Sequence, residues 1–319
     1  MRENRCPDGG FYLPFRHPKF SQEEIFSLMR KPFGECVAEI LNLLFHTKLT
    51  GWDIDFCIGS RCLQLENFPR RILIAEPWHT QGLQFQRVER ALSSKLSGDL
   101  HTASDWMDIG IRIAVLFGLF GELKKIGIET ADLAVLTGDF SMPISAWYAR
   151  KWGLPIGRII CCCNENHTLW ELFYQGQMRT DSVSISTMVP EADVSLPEDL
   201  ERLIYECGGI AETTKFLDAC RQGRVYSPSD SCLEKLRDGI YVSVVSSRRI
   251  ESAIPGVYRS HGYLMAPATA LTYSGLLDYR AKTGETGNVV IWSEDSPAVD
   301  MGTVSGIMGI PADAIEEQP

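Results

Sequence analysis

Residues 133–166 decide the fold, and they read LAVLTGDFSMPISAWYARKWGLPIGRIICCCNEN. The apolar run 133–136 predicts a β-strand that ends in the turn 137–140. A helix is predicted over 144–152, and an apolar strand follows over 157–163. A strand, a turn with glycine, a helix and a second strand form a βαβ unit. Apolar strands of this kind are typical of a parallel sheet that helices cover on both faces.

The same alternation extends on both sides of this unit. Upstream, a strand over 71–75 precedes helices over 83–96 and 107–123. Downstream, Ser195 is predicted to cap a helix that begins at Pro197. Beyond it, helices are predicted over 210–221, 246–254 and 266–281, with a last strand over 288–292. Strands and helices that alternate at this length predict an α/β fold with a mostly parallel sheet flanked by helices.

The composition restricts the kinds of partner. The chain has 319 residues and a formal net charge of -10. That charge does not favour nucleic acid, because binding to phosphates needs clustered Lys and Arg. Residues 1–10 lack the apolar core of a signal peptide, and the longest apolar run, 109–120, is shorter than a bilayer span of roughly 20 residues. We therefore expect a cytoplasmic protein with no nucleic-acid partner and no membrane segment.

The ten cysteines do not indicate a metal site. Cys161, Cys162 and Cys163 are consecutive within a predicted strand, and the others are scattered. Zinc sites use paired Cys-x-x-Cys spacing, which this chain lacks. We expect reduced thiols in the core and no bound metal.

Five segments occur in an order that is typical of one enzyme family. They are 7–14 (PDGGFYLP), 76–87 (EPWHTQGLQFQR), 137–142 (TGDFSM), 164–166 (NEN) and 266–270 (APATA). In sequence and order they resemble segments of the threonine synthases, which are pyridoxal-phosphate enzymes of fold type II. The resemblance implies a threonine synthase-like N-terminal helical segment over 1–66 and a shortened α/β domain over 67–319, similar to the large domain of such enzymes.

The resemblance also implies a reaction and a set of site residues. The family eliminates phosphate from O-phosphohomoserine and adds water to make threonine, with the cofactor held by a lysine. Gln86 stands at the position of that lysine. His79, Asn164 and Asn166 match family positions near substrate or another ligand. The positions that match cofactor-binding residues are Gly138, Asp139, Phe140, Ser141, Met142 and Thr269.

Several departures from the family pattern affect the same site. The Gln86 amide cannot form an imine, and its nitrogen is not a base near neutral pH. Asp139 places a negative charge where the family binds phosphate. Lys95 and Lys151 are not suitable replacements, because the first is predicted on the opposite face of its helix and the second matches a family lysine outside the site. The small domain that the family inserts after the lysine segment is largely deleted, since only a short polar stretch joins the helices 83–96 and 107–123.

Individual residues keep two interpretations each. His79 either contacts a ligand or is a structural histidine with its hydrogen bonds satisfied. Asn164 and Asn166 follow a strand end, where open α/β sheets bind ligands, but they could equally cap the next helix and fix the loop.

Two functions follow from these observations. The departures favour a protein without catalytic activity that acts as a binding or interaction module. The alternative is an active pyridoxal-phosphate-dependent lyase of the threonine synthase type that converts O-phosphohomoserine or a related amino acid. Covalent cofactor binding is not expected, and non-covalent binding stays open. The partners considered are a small anionic or amino-acid ligand and, through the surface where the small domain would dock, a second copy of the chain.

Overall fold

A computed structural model describes residues 10, 11, 13, 17–80, 84–97, 104–311, 314 and 315. Eight strands lie within these ranges: β1 (Gln64–Phe68), β2 (Ile72–Glu76), β3 (Ala131–Leu136), β4 (Ile156–Cys163), β5 (Met178–Arg179), β6 (Val225–Tyr226), β7 (Ile240–Val244) and β8 (Val289–Trp292). Six of them form one sheet in the order β1-β2-β8-β3-β4-β7. Within this sheet β2, β8, β3, β4 and β7 pair with their neighbours in parallel, and β1 pairs antiparallel with β2. The predicted α/β fold with a mostly parallel sheet is confirmed.

Twelve α-helices surround the sheet in the described part of the chain. They are α1 (Gln22–Leu28), α2 (Phe33–Phe45), α3 (Gly51–Ile58), α4 (Phe85–Ser97), α5 (Ser104–Lys125), α6 (Ser141–Lys151), α7 (Thr168–Gln175), α8 (Leu200–Gln222), α9 (Asp230–Arg237), α10 (Ser247–His261), α11 (Pro267–Thr283) and α12 (Met301–Met308). None of these helices is both long and apolar enough to cross a membrane.

The sheet separates two apolar cores. Successive side chains of a strand point to opposite faces, so Leu133 and Val135 of β3 pack into one core while Ala134 and Leu136 pack into the other. The first core contains residues of α1 to α9, and the second contains residues of α10, α11 and α12. Burial on both faces explains why the strands of the sheet centre are nearly continuous apolar runs.

The helix predicted from Pro197 begins instead at Leu200. Ser195 does not cap it, because its hydroxyl donates to the Ser182 carbonyl at 2.6 Å and its N–H donates to Ser184 Oγ at 3.1 Å. The segment predicted over 210–221 is the second half of the same helix, α8. A kink separates the halves at Gly209, whose φ of 70° is readily adopted only by glycine.

Two predictions concern how the chain is divided. The proposed boundary between residues 66 and 67 lies inside β1, and the helices before it share a core with α5 and the sheet. The division into two units therefore stays a prediction. The helices α4 and α5 are separated only by residues 98–103, which are too few to form a folded domain.

Candidate functional site

A cavity of about 490 Å³ opens at the carboxyl ends of the neighbouring strands β3 and β8. Its walls come from the start of α4, from α5, from the loop 137–142, from the short helical turn 190–192 and from the residues after β8. Open α/β sheets bind their ligands at this edge, because the loops that follow parallel strands meet there.

Gln86 lies in the first turn of α4 and lines this cavity with an exposed side chain. The turn is anchored to the chain after β8, because the Phe85 N–H donates to the Glu294 carbonyl at 2.8 Å and Gln84 forms a β-bridge with Asp295. The Phe85 ring packs edge-on against Trp292 with 4.9 Å between ring centroids. Gln86 is therefore held at the cavity by a buried aromatic contact and by backbone pairing.

Four of the predicted cofactor-binding residues line the same cavity: Gly138, Asp139, Ser141 and Met142. The structure thus brings them to the cavity with Gln86, although about fifty residues separate the two segments. Phe140 is completely buried and is not among the lining residues. The roles of all these residues stay predictions.

The loop 137–142 binds its own carboxylate at the start of α6. The Ser141 N–H donates to Asp139 Oδ1 at 2.9 Å. Phe140 precedes the helix in the left-handed region, with φ of 75°, and provides no side-chain cap. Pro143, in the first turn, has no N–H to offer. A helix N-terminus attracts anions through its free N–H groups and its dipole. Here one of those groups, the Ser141 N–H, already donates its hydrogen bond to the Asp139 carboxylate.

One arginine is bound between carboxylates at the cavity wall. Arg112, on α5, has its Nε 2.7 Å from Glu89 Oε1 and its Nη1 2.9 Å from Glu294 Oε1. Its guanidinium carbon also lies 5.2 Å from the Phe85 ring centroid. Although Nε is close to Glu89 Oε1, neither of these two atoms has a hydrogen bond of acceptable geometry. Arg112 and Glu89 are therefore in close buried contact without a well-aligned hydrogen bond, and this contact is an ion pair only when Glu89 is ionised.

Two carboxyl groups of the cavity, those of Glu89 and Asp295, hold protons more tightly than free carboxyl groups. Burial raises the pKa of Glu89 to about 8, and the guanidinium of Arg112 opposes that shift only in part. Burial also raises the pKa of Asp295 to about 7, with a further increase from the negative charges of Glu294 and Glu191. Burial disfavours the ionised form of a carboxyl group, and nearby carboxylates add to that effect.

The raised pKa of Glu89 predicts a dependence of stability on pH. The folded protein retains a proton on Glu89 between pH about 4.5 and about 8, whereas the unfolded chain releases it. Stability from this group is therefore complete below that window and is lost as pH rises through it. The charges that face Glu89 also act on its pKa: Arg112 lowers it, and Glu294, Asp108 and Asp139 raise it.

The comparison of wild type with Glu89→Gln isolates this contribution, because glutamine resembles the protonated acid. We expect the stability of the wild type relative to the variant to fall by up to about 1.4 kcal/mol per pH unit within the window. Urea unfolding of both proteins at several pH values between 5 and 8 measures it. A difference that does not change with pH would contradict the shifted pKa.

His79 lies outside the cavity and has structural partners. Its Nε2 is 2.5 Å from Glu76 Oε2, and its ring stacks on Trp78 at 4.7 Å between centroids. Glu76, at the end of β2, also accepts a hydrogen bond from the Tyr263 hydroxyl. Burial raises the pKa of the Glu76 carboxyl. These contacts support the interpretation of His79 as a structural histidine.

Asn164 and Asn166 fix the loop before α8 and do not line the cavity. Asn164 Nδ2 donates to Asp193 Oδ1 at 2.7 Å, and Asn166 exchanges two hydrogen bonds with the backbone of Ile185. These hydrogen bonds support the interpretation that the two asparagines fix the loop. Their predicted role as helix caps is wrong, since α7 has His167 as its N-cap and no side-chain cap bond.

Thr269 does not line the cavity either. It lies in the first turn of α11, is buried, and shares a hydrogen bond of 2.8 Å with the Ser293 hydroxyl. The Ser293 carbonyl in turn accepts from Trp78 Nε1 at 3.0 Å. Thr269 therefore stabilises the junction between α11 and the end of β8.

The residues of the cavity do not fit pyridoxal phosphate. No lysine lines the described walls, so an aldehyde would find no amine there. The helix terminus that could bind the phosphate is occupied by the Asp139 carboxylate. A phosphate dianion would also meet the negative charge of Glu294 at the same cavity.

Five charged residues of the site did not emerge from motifs: Glu89, Arg112, Glu191, Glu294 and Asp295. They come from four separate parts of the chain and share no spacing. A signal did exist for Arg112, because a single arginine inside the apolar run 109–120 requires a buried partner. The partners themselves could not be named without the fold.

Comparisons with known proteins give a consistent family relationship. No family model matches the sequence. Threonine synthase-like 1 from Homo sapiens is 26% identical over 177 residues, which are 54% of this chain and 22% of that protein. Threonine synthase from Pseudomonas aeruginosa is 28% identical over 145 residues, which are 45% of this chain and 31% of that enzyme. The matched part therefore spans less than a third of either relative.

Solved structures extend the similarity to nearly the whole chain. The pyridoxal-phosphate-bound threonine synthase from Brucella melitensis superposes with a TM-score of 0.82 at 16% identity, covering 99% of this chain and 88% of that chain. Yeast threonine synthase gives the same TM-score at 15% identity, covering 96% of this chain and 86% of that chain. At these identities the superposition shows the fold, and the sequence matches add the relationship. The chain is similar in sequence to threonine synthases and threonine synthase-like proteins over about half of its length, and it has the threonine synthase fold.

Proposed function

We propose that this chain is a threonine synthase-like protein without catalytic activity, which uses the cavity at the ends of β3 and β8 to bind a small ligand. The observation that carries the proposal is the position of Gln86. It faces the same cavity as Gly138 and Asp139, so the residue at the family's lysine position lies at the site itself. An amide there can donate and accept hydrogen bonds but cannot form an imine.

The lysines considered as replacements have other partners. Lys95 Nζ lies 2.9 Å from Asp53 Oδ1, on the side of α4 that faces α3. Lys151 Nζ lies 2.6 Å from Glu206 Oε2, at the far end of α6. Neither residue lines the cavity. These positions support the proposal because each ammonium is already held by a carboxylate.

The short connection between α4 and α5 gives independent support. In enzymes that need a dry site, a moving domain or loop closes over the substrate and excludes water. Residues 98–103 are too few to supply such a domain between these helices. The cavity is therefore better suited to reversible binding than to chemistry that water would disturb.

An absorbance titration with pyridoxal phosphate tests the proposal. The purified chain is mixed with stoichiometric cofactor, reduced with borohydride, and mapped by peptide mass spectrometry. We expect the spectrum of the free cofactor and no site-specific adduct, with an active pyridoxal-phosphate lyase as the positive control. An imine band together with an adduct on a single lysine would instead support the active-lyase alternative, which an assay for threonine from O-phosphohomoserine would then examine.

A further inference from the structure

We propose that a surface depression at the amino ends of β2 and β8 binds a small organic phosphate. The depression has a volume of about 800 Å³ and lies between the turn that joins β1 to β2 and the end of α11. The cavity with Gln86 opens at the opposite edge of the sheet, at the carboxyl ends of β3 and β8. The two sites are separate, so this proposal does not depend on the proposed function.

Positive charge is concentrated at the depression. Arg70, Arg71 and Arg280 line it, and none of them forms an ion pair with a carboxylate of the described residues. Glu285 is the one acid among the lining residues, and it is exposed. Three positive charges therefore face one negative charge here, on a chain whose formal net charge is -10. Such a local excess attracts anions.

The backbone of the turn gives a second and independent observation. Arg70 and Arg71 have φ of 63° and 59°, and no other two consecutive non-glycine residues of the described chain have positive φ. Residues with a Cβ atom are strained in this left-handed region, and hairpin turns that need two such residues prefer Asn-Gly. Strained residues of this kind cluster at ligand sites, where the surrounding structure holds them in place. The arginine side chains therefore have a use that outweighs the strain.

Hydrogen bonds hold the strained turn and fix one of the guanidinium groups. Arg280 Nη1 donates to the Arg70 carbonyl at 2.7 Å, and the Val289 N–H donates to the Arg71 carbonyl at 3.0 Å. Arg280 Nη2 donates to the Gly287 carbonyl, also at 2.7 Å. Each Nη of an arginine carries two hydrogens. The guanidinium of Arg280 is thus fixed in place and keeps one further N–H on each Nη for an acceptor in the depression.

Balancing the dipole of α11 accounts for only part of this charge. A helix attracts positive charge at its carboxyl end, and Arg280 and Lys282 in the last turn of α11 supply it. Arg70 comes from a different segment, and its charge repels that of Arg280. Burial lowers the pKa of Arg280, Asp132 opposes that shift, and the charge of Arg70 adds to it. A bound anion would relieve this repulsion.

The lining residues favour a phosphate ester as the anion. Arginine presents paired N–H donors in a fixed fork that matches phosphate oxygens. Thr286 adds a hydroxyl, and Leu277 and Ala281 add apolar surface for the organic part of the ligand. A volume of about 800 Å³ leaves room beside the phosphate group for several carbon atoms.

Isothermal titration calorimetry with glycerol 3-phosphate tests the proposal, with glycerol as the neutral probe. We expect glycerol 3-phosphate to bind in a 1:1 ratio, more weakly at higher salt, and glycerol to give no heat of binding. Arg70→Asn combined with Arg71→Gly should weaken binding by at least about tenfold, because it removes two of the three guanidinium groups. Without ligand, the same double variant should melt about 2 °C higher, because Asn-Gly adopts the left-handed turn with less strain.

Arg61→Asn is the matched control, because Arg61 is an exposed arginine in a turn outside the depression. It should leave the affinity for glycerol 3-phosphate unchanged. The combination of weaker binding and a higher melting temperature separates a ligand site from a purely structural role, which would lower the melting temperature. No binding to the wild type, equal affinity in the wild type and the double variant, or a lower melting temperature in the double variant would overturn the proposal.

Discussion

Replacing Asp199 by alanine is expected to lower the free energy of unfolding by about 3–5 kcal/mol. Asp199 and Arg202 are the most deeply buried ion pair described here, with both side chains 0% exposed and 2.9 Å between Arg202 Nε and Asp199 Oδ1. The guanidinium also lies over the rings of Phe11 and Trp106, at 4.6 and 5.8 Å from their centroids. Truncation would leave a charged guanidinium in the core without this carboxylate.

Asp218→Ala on the same helix is the matched control. Asp218 pairs with Arg221 at the same spacing of three residues and nearly the same distance, 3.0 Å, but both side chains are about half exposed. Surface pairs of this kind contribute about 0–1 kcal/mol. Urea unfolding followed by circular dichroism and tryptophan fluorescence measures both variants. Equal losses of stability in the two variants would contradict the importance of burial.

The backbone of Asp199 connects the start of α8 to the loop 137–142, because its N–H donates to the Asp139 carbonyl at 2.9 Å. Alanine keeps this N–H, so the loss of stability expected in Asp199→Ala comes from the side-chain ion pair and not from this backbone connection.

Gln86→Lys is expected to give neither a cofactor imine nor threonine. Imine formation requires a neutral amine. A lysine at this position would face Glu294, Asp295 and Asp139, whose negative charges favour the protonated ammonium and raise its pKa. Absorbance with pyridoxal phosphate and an assay for threonine from O-phosphohomoserine measure the two outcomes.

Gln86→Met is the control for this experiment, because it fills similar space without an amine. Both variants should show the spectrum of the free cofactor. A second variant, Gln86→Lys combined with Asp139→Asn, removes the carboxylate that occupies the α6 N-terminus. Turnover by the single lysine substitution would contradict this prediction, because the remaining residues would then form a functional active site that lacks only the lysine.

The sequence was sufficient for the central architecture because local and long-range signals agree there. The strand over 156–163, the helix after the 137–140 turn and the strand over 289–292 were all predicted, with bounds that moved by three residues or fewer. Their apolar runs are long, and glycine marks the turns between them. By contrast, β7 was not predicted, because it has only five residues and its buried and partly buried positions follow no regular alternation. Only pairing with β4 identifies it as a strand.

Some residues of the site were predicted from the sequence and others were not, and this difference has a physical cause. Gln86 and the loop residues Gly138 and Asp139 follow from segments whose residue order is distinctive. Glu89 does not, because a glutamate on an amphipathic helix normally faces solvent. Its burial depends on Arg112 from another helix, and that contact exists only once α4 packs against α5.

The carboxylate of Asp139 at the start of α6 acts as a tethered competitor. A group attached two residues from its binding partner is present at an effective concentration set by the chain, typically millimolar or higher for short tethers, whatever the solution contains. Phosphate in solution must exceed that local concentration before it displaces the side chain from the Ser141 N–H. The folded chain therefore supplies its own anion, the Asp139 carboxylate, to the positive end of the α6 dipole, in buffers with and without phosphate.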